Sequence, residues 1–235
     1  MGIDQIPNEY LKYAESKLVP IFTRLFNLIF NSGILPDDWL TGIIKPIYKK
    51  KGNPKEPESY RPITIVSCFG KLFTSILNKR ITTFLESMEK FKENQAGFRK
   101  NYSTTDHIFS LYALFEILKQ RKKKLYCAFI DFSKAFDTVW RTGLWQKMLS
   151  LDINGKCLRI IYSMYQGIKS CISHNNEYSA YFLCENGVRQ GENLSPILFT
   201  MYLNDLEDSL TDTQCNGIKL EYENNNIDLF IVMTQ

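Results

Sequence analysis

A carboxylate that directly follows an apolar run is the residue of this sequence best placed for chemistry. Residues 125–130 read Leu-Tyr-Cys-Ala-Phe-Ile, a run typical of a buried strand, and Asp131 comes next. A carboxylate at a strand end can hold a divalent cation in a fixed position, and phosphoryl transfer depends mostly on such positioning and charge neutralisation. Taken alone, the segment also fits a helix start, the commoner use of such residues, because Asp131 and Ser133 both suit an N-cap.

A second polar segment, residues 187–196, reads Gly-Val-Arg-Gln-Gly-Glu-Asn-Leu-Ser-Pro. Glycine permits close approach of the backbone to a ligand, and a helix N-terminus favours phosphate. As structure alone, it is a common kind of helix start with proline in the first turn. This segment alone does not decide between a phosphate-binding loop and an ordinary helix start.

Other catalytic and metal-binding systems do not fit. His107 and His174 form no H-E-x-x-H site, and neither a G-x-S-x-G elbow nor a Walker loop occurs. The six cysteines fall singly, without a C-x-x-C pair or a nearby histidine, which argues against a zinc site. We read them as reduced thiols of an intracellular protein.

The net charge of +4 hides an uneven distribution. Residues 45–124 contain 18 Lys and Arg against 7 Asp and Glu, whereas the remainder contains 11 against 18. A basic half beside an acidic half suggests a polyanionic partner, but charge alone slightly favours a solvated charged face. Apolar runs are too short to span a membrane and the N-terminus resembles no signal peptide, so we expect a soluble protein without membrane contact.

The elements that must position these segments follow from apolar periodicity. Helices are predicted at residues 8–31, 69–85, 104–119, 144–166 and 194–206, of which 69–85 and 104–119 are expected to be packed core helices with basic outer faces. Strands are predicted at residues 42–48, 125–130, 169–174, 180–184, 218–222 and 227–233. The order predicts an α+β protein with a split βαβ unit, an antiparallel sheet with helices on one face.

Several segments together resemble the conserved blocks of non-LTR (LINE-type) retrotransposon reverse transcriptases. They are Tyr-Arg-Pro-Ile at 60–63, Asn-Gln-Ala-Gly-Phe-Arg-Lys at 94–100 with Ser-Thr-Thr-Asp at 103–106, the run 131–137, and the run 187–196. Residues 2–9 resemble the block that precedes the fingers. The matches cover nearly the whole chain in the right order, which is far more specific than any one of them.

The resemblance implies a role for particular residues. Asp131, with the backbone carbonyl of Phe132, would bind the two catalytic Mg²⁺ ions of the complete family site, only weakly or incompletely in this chain. Phe136 would pack under the sugar and reject a 2′-hydroxyl. Asp137 would be structural. Three pairs would contact the substrates: Gln190 and Gly191 the incoming dNTP, Lys49 and Arg61 its triphosphate, and Arg99 and Lys100 the template backbone.

By the same resemblance, residues 1–120 are a fingers-like region and residues 121–235 a partial palm, with the catalytic block at 125–139 and the nucleotide-site loop at 187–196. The family's next motif, Tyr-Ala-Asp-Asp, has no counterpart here, and neither does a thumb. We therefore expect an isolated chain that does not polymerise and a palm edge left open, which an unknown protein partner could cover. An RNA template and a DNA primer are the expected partners.

Two alternatives remain. A non-catalytic retroelement remnant would bind RNA or DNA electrostatically, with an affinity that falls steeply with salt. An unrelated α+β RNA-binding module would need aromatic pairs for base stacking on a sheet face, and we find no such pattern. Whether the protein resides in the nucleus or the cytoplasm is open.

Overall fold

The computed structural model describes residues 2–13, 15–175, 177–212, 218–222 and 225–229, which form a mixed α/β fold. The helices are α1 (Asn8–Tyr13), α2 (Glu15–Ser32), α3 (Asp37–Leu40), α4 (Cys68–Ser87), α5 (Thr104–Gln120), α6 (Arg141–Ser150), α7 (Gly155–Met164), α8 (Ser195–Tyr202) and α9 (Leu206–Asp212). The strands are β1 (Thr41–Tyr48), β2 (Tyr60–Ile65), β3 (Lys169–His174), β4 (Glu177–Tyr178), β5 (Phe182–Leu183), β6 (Ile218–Tyr222) and β7 (Asn225–Leu229).

The main sheet joins strands from both halves of the chain. Its order is β2-β1-β3-β4, and β5 also pairs with β3. β1 and β2 are antiparallel, with Ile43 opposite Ile65, but β1 and β3 run parallel, with Thr41 opposite Lys169. The sheet is therefore mixed: β3, β4 and β5, from the half predicted to contain an antiparallel sheet, pair antiparallel, and β3 also pairs in parallel with β1. β6 and β7 form a separate antiparallel hairpin.

One continuous hydrophobic core holds the helices against each other. Phe26 of α2, Trp39 of α3 and Phe73 of α4 meet with ring centroids 5.4 to 6.1 Å apart. The same buried cluster includes Leu144 of α6 and Leu198 of α8, which are fully buried. Burying side chains of this size stabilises the fold by roughly 1.5–3 kcal/mol each. The predicted regions 1–120 and 121–235 therefore share one core.

The first residues are held at the N-terminus of α4. One Asp4 carboxylate oxygen accepts hydrogen bonds from the Ser67 hydroxyl (2.7 Å) and from the backbone N–H of Cys68 (3.0 Å). Ser67 in turn accepts from the backbone N–H of Gly70 (3.3 Å), as an N-cap does. A negative charge at this end of the helix also interacts favourably with the helix dipole.

The predicted helix at 144–166 is two helices, α6 and α7, separated by a turn. Asp152 and Gly155 both have positive φ, 64° and 56°, which a continuous helix does not allow. The backbone N–H of Ile153 bonds back to the carbonyl of Met148 (2.9 Å), which closes the end of α6. Ile153 is itself buried, so the apolar pattern runs through the turn without a visible break.

The prediction that α5 is a packed core helix is wrong. Leu114 is its buried residue, while Ile108, Phe109 and Tyr112 are largely exposed. The helix itself begins and ends where its periodicity predicts, and α4, predicted with it, is well buried.

The predicted buried strand at residues 125–130 is also wrong. Its residues are mostly exposed, Tyr126 by 84%, and have no strand assignment. A strand requires backbone hydrogen bonds to a neighbour, and the described part of the chain provides none for this segment. The hairpin prediction is confirmed through Leu229, and residues 230–233 of its second strand lie outside the described residues.

Within the described residues, no helix is long and apolar enough to cross a membrane.

Candidate nucleotide site

The loop between β5 and α8 is held against the turn that follows Asp131. The backbone N–H of Val188 donates to the carbonyl of Phe136 (2.7 Å), and that of Gly187 donates to the carbonyl of Val139 (3.0 Å). Gly187 has φ 76°, and a Cβ there would lie 2.6 Å from the Asp137 carbonyl oxygen. Only glycine allows this approach, so the two segments predicted to carry chemistry are in direct contact.

A buried ion pair fixes the middle of the same loop. Arg189 and Glu192 have side chains that are 6% and 2% exposed, and they form two hydrogen bonds of 3.0 and 3.1 Å. A third donor of Arg189 reaches the carbonyl of Trp39 (2.8 Å). Because both charges point inward, the residues between them are turned toward the surface.

Gln190 and Gly191 are held against β2. The carbonyl of Gln190 accepts a hydrogen bond of 2.7 Å from the backbone N–H of Thr64. Gly191 has φ 110°, and a Cβ there would lie 2.7 Å from the Thr64 carbonyl oxygen. This position therefore requires glycine, and its backbone is exposed at the surface.

These contacts produce a cavity of about 360 Å³ lined by residues from four segments that are far apart in sequence. Its lining residues are Arg61, Phe98, Phe136, Gln190, Gly191, Glu192, Ser195 and Pro196. The structure thus brings together four of the five residues predicted to contact a nucleotide. Lys49 is not among them, and its ammonium donates to the carbonyl of Glu58 (2.9 Å).

An aromatic cluster forms one wall. Phe136 is stacked on Phe199 with ring centroids 5.2 Å apart, and Phe98 meets its edge at 6.1 Å. Phe199 is buried on α8, so the ring of Phe136 rests on the core and cannot move freely. Arg61 of β2 is exposed and adds a positive charge to the lining of the same cavity. A cavity lined by a cationic group and by aromatic rings suits a ligand with an anionic and a hydrophobic part.

The cavity lies within the part of the chain that matches a known family. Residues 48–227 match the model of the reverse transcriptase (RNA-dependent DNA polymerase) family. The chain belongs to this family. The recognition of a non-LTR reverse transcriptase domain from its sequence blocks is confirmed.

The curated relatives of this reverse transcriptase domain are polymerases of mobile elements. The chain is 31% identical over 208 residues to the probable RNA-directed DNA polymerase from transposon BS of Drosophila melanogaster, and 30% identical over 207 residues to that from the X-element of the same fly. Each alignment covers 87% of this chain but 22% of the relative. A looser structural likeness, to apo telomerase from Candida tropicalis, has a TM-score of 0.49 at 14% identity over 80% of this chain and 43% of that one.

Asp131 lies in the reverse transcriptase domain, and the described residues do not supply it with the companions that a metal site needs. Its side chain is exposed, and the described residues include no group of three or more His, Cys, Asp or Glu side chains that could hold an ion. Phe132 beside it is partly exposed, with its ring against the edge of Phe199 at 6.4 Å. These residues do not fit a site for two Mg²⁺ ions.

Asp137 has a different environment. Partial burial raises the pKa of its carboxyl above the usual range, and the ammonium of Lys134 offsets part of the rise. Its backbone carbonyl lies against Gly187, so the residue is part of the contact between the two segments. This position agrees with a structural role but leaves that prediction untested.

Arg99, predicted to contact the template backbone, has a buried side chain with partners inside the fold. Its guanidinium forms a bidentate pair with Glu86 (3.0 and 2.8 Å) and donates to the carbonyls of Lys92 and Gln95. It also lies 3.9 Å from the ring centroid of Tyr102. The side chain is 4% exposed, which does not favour the predicted contact but leaves it untested. Its neighbour Lys100 is exposed and stays a prediction.

Sequence reasoning missed several residues of the site. Four lining residues lie inside the recognised blocks but are not predicted from the sequence to contact a ligand: Phe98, Glu192, Ser195 and Pro196. For Phe98 the sequence does offer a signal, because an apolar residue stands there between a glycine and two cationic residues. Arg141 lies outside the cavity lining and bonds to the backbone next to the loop 187–196, and the sequence carries no signal for such contacts with carbonyls.

Proposed function

We propose that this chain is the fingers and part of the palm of an RNA-directed DNA polymerase, and that its cavity binds the incoming nucleotide. Residues 1–120 would be the fingers and residues 121–235 the partial palm. The observation that carries the proposal is the convergence of Arg61, Phe136, Gln190 and Gly191 on one cavity. These residues come from three blocks of the sequence, and nothing in their local structure requires them to meet.

Each lining residue suits one part of a deoxynucleoside triphosphate. Arg61 can donate two parallel hydrogen bonds to a phosphate. The exposed backbone of Gly191 permits close approach, and Gln190 can donate and accept through its amide. Phe136 presents a ring supported from behind by Phe199, which suits a wall that excludes an additional hydroxyl group on the sugar.

The phosphate contacts assigned to Lys49 and Lys100 have weaker support. Lys49 precedes the loop that ends at β2, and its ammonium would have to leave the carbonyl of Glu58 to reach a ligand in the cavity. Lys100 lies in the basic half of the sequence and is exposed, as an electrostatic contact to an RNA template or a DNA primer requires.

Catalysis requires more metal ligands than the described residues provide. Asp131 alone would hold Mg²⁺ weakly, since the ion needs carboxylates or phosphates in a fixed octahedral arrangement. We therefore assign no catalytic step to Asp131 and propose that the isolated chain binds nucleotide without extending a primer.

A binding test separates this proposal from a purely electrostatic one. The affinity for dTTP is measured by equilibrium dialysis for the wild type, Arg61→Ala and a matched control, Arg159→Ala. Arg159 is on α7 and bonds to the carbonyl of Asn31. Losing hydrogen bonds to a charged group costs about 1.5–3 kcal/mol of binding free energy. The Kd of Arg61→Ala should therefore be about 10- to 150-fold higher than that of the wild type, and the Kd of Arg159→Ala should be unchanged.

Equal effects of both arginine variants would contradict the nucleotide site and support the second candidate, a retroelement remnant that binds polyanions by charge. The isolated Asp131 carboxylate favours this candidate. Primer extension on poly(rA) with oligo(dT), Mg²⁺ and dTTP, comparing the wild type with Asp131→Ala, tests the proposed inactivity. Extension by the wild type alone would contradict it.

A further inference from the structure

The guanidinium of Arg141, the first residue of α6, donates hydrogen bonds to four backbone carbonyls. Nε donates to the carbonyl of Gly187 (2.9 Å), and Nη1 donates to that of Tyr165 (2.9 Å). Nη2 donates to the carbonyls of Cys184 (2.8 Å) and Asn186 (3.1 Å). Within the described residues, no carboxylate lies within ion-pair distance of it.

This arrangement differs from an ordinary surface arginine. Burial lowers the pKa of the Arg141 guanidinium, which records the cost of removing the charge from water. Four hydrogen bonds and the ring of Tyr165, whose centroid is 5.1 Å away, offset that cost. A half-buried charge whose hydrogen bonds all go to carbonyls requires those carbonyls to stay in place, so the arginine and the backbone around it order each other.

The carbonyls belong to different segments, which Arg141 joins in addition to the hydrogen bond of 2.9 Å from the backbone N–H of Cys184 to the carbonyl of Ile168. Tyr165 follows the last residue of α7, Cys184 follows β5, and Asn186 and Gly187 lead into the loop 187–196. The N–H of Gly187 also bonds to Val139, two residues before Arg141. Gly187 is therefore held through both its N–H and its carbonyl by the segment 139–141.

We propose that Arg141 is a positioning residue of the nucleotide site, which holds residues 184–187 so that Gln190 and Gly191 face the cavity. This inference rests on the function proposed above. Arg141 touches no part of the cavity, and it acts through the backbone that leads to Gln190. A lysine cannot replace it fully, because an ammonium group is a compact point donor without the fork that reaches several carbonyls.

Hydrogen exchange tests the positioning without reference to any ligand. Amide exchange is compared for the wild type, Arg141→Ala, Arg141→Lys and the control Arg159→Ala. In Arg141→Ala, the amides of residues 186–191 should exchange about tenfold faster or more, as expected for the loss of one hydrogen bond to a charged group. Amides of α2 and α4 should be unchanged, and Arg141→Lys should be intermediate.

Unchanged exchange of residues 186–191 in a folded Arg141→Ala protein would overturn the proposal. Faster exchange in every helix would assign Arg141 a merely structural role, which also overturns it. Should Arg141→Ala fail to fold, the same comparison is made with Arg141→Lys, for which a loop identical to the wild type counts against the proposal.

The functional consequence is measured separately. The Kd for dTTP should rise about tenfold in Arg141→Ala, the equivalent of about 1.4 kcal/mol, while the Kd for a primer–template duplex stays within about twofold. An equal loss for both ligands would contradict a specific effect on the nucleotide site. If the wild type does not bind dTTP, the proposed function fails, and the exchange measurement still decides the role of Arg141.

Discussion

The buried pair of Arg189 and Glu192 allows a sharp test of how the nucleotide-site loop is held. Glu192→Ala leaves a guanidinium that is 6% exposed with the Trp39 carbonyl as its remaining partner. Removing one partner of a buried ion pair typically costs about 3–5 kcal/mol, because the other charge stays buried without compensation. The predicted loss of unfolding free energy is in that range, measured by urea denaturation with an unchanged m-value.

Two further variants determine whether burial is the cause. Arg189→Met/Glu192→Leu removes both charges, so it should be less destabilised than Glu192→Ala alone. Asp208→Ala breaks the exposed pair with Lys92, where both side chains are more than 40% exposed, and should cost at most about 1 kcal/mol. A cost for Glu192→Ala no larger than that of Asp208→Ala would refute the reasoning, since it would mean that water solvates Arg189.

Three other perturbations follow from the contacts. Gly191→Ala should cost about 1–3 kcal/mol in backbone strain at φ 110° and weaken dTTP binding, both measurable on one protein sample, and an unchanged dTTP affinity would contradict it. Asp4→Ala removes the acceptor at the start of α4 and should lower the unfolding free energy by about 0.5–2 kcal/mol, whereas Asp106→Ala on α5 should have a smaller effect. Asp137→Asn should be more stable than the wild type near neutral pH. The pKa of Asp137 is higher in the folded protein than in the unfolded chain. Between these two pKa values the folded protein therefore binds more protons than the unfolded chain, and the free energy of unfolding falls as the pH rises through this range. The advantage of Asp137→Asn in urea denaturation should therefore disappear in acid, and an advantage that is the same at every pH would count against the burial.

Much of the fold could be predicted because its elements carry local signals. α4 has a long apolar stripe and β1 ends in a loop rich in Lys, Gly and Pro, so their bounds agree closely with the structure, whereas the helix predicted at 8–31 corresponds to α1 and α2 together. The break between α6 and α7 depends on two residues with positive φ. The apolar periodicity does not reveal this break, because Ile153 in the turn is buried like the helix residues on either side. An apolar run such as 125–130 indicates that a strand is possible, but not that a neighbour is present to pair with it.

The site could be predicted in part, because some of its residues lie in sequence blocks that resemble a known family. These blocks predicted nucleotide contacts for four residues that meet in one cavity: Arg61, Phe136, Gln190 and Gly191. The sequence could not show that Arg99 is buried, because its ion pair with Glu86 forms only in the folded protein. Arg141 could not be found from sequence because its partners are carbonyls, which every residue possesses.

The position of the nucleotide is tested by photochemical cross-linking of 4-thio-dTTP followed by mass spectrometry of the peptides. Binding in the cavity predicts cross-links in the peptides that contain Phe98, Phe136 or residues 187–196, and these cross-links should be lost in the presence of excess dTTP. Cross-links confined to other parts of the chain, or labelling that excess dTTP does not reduce, would contradict it.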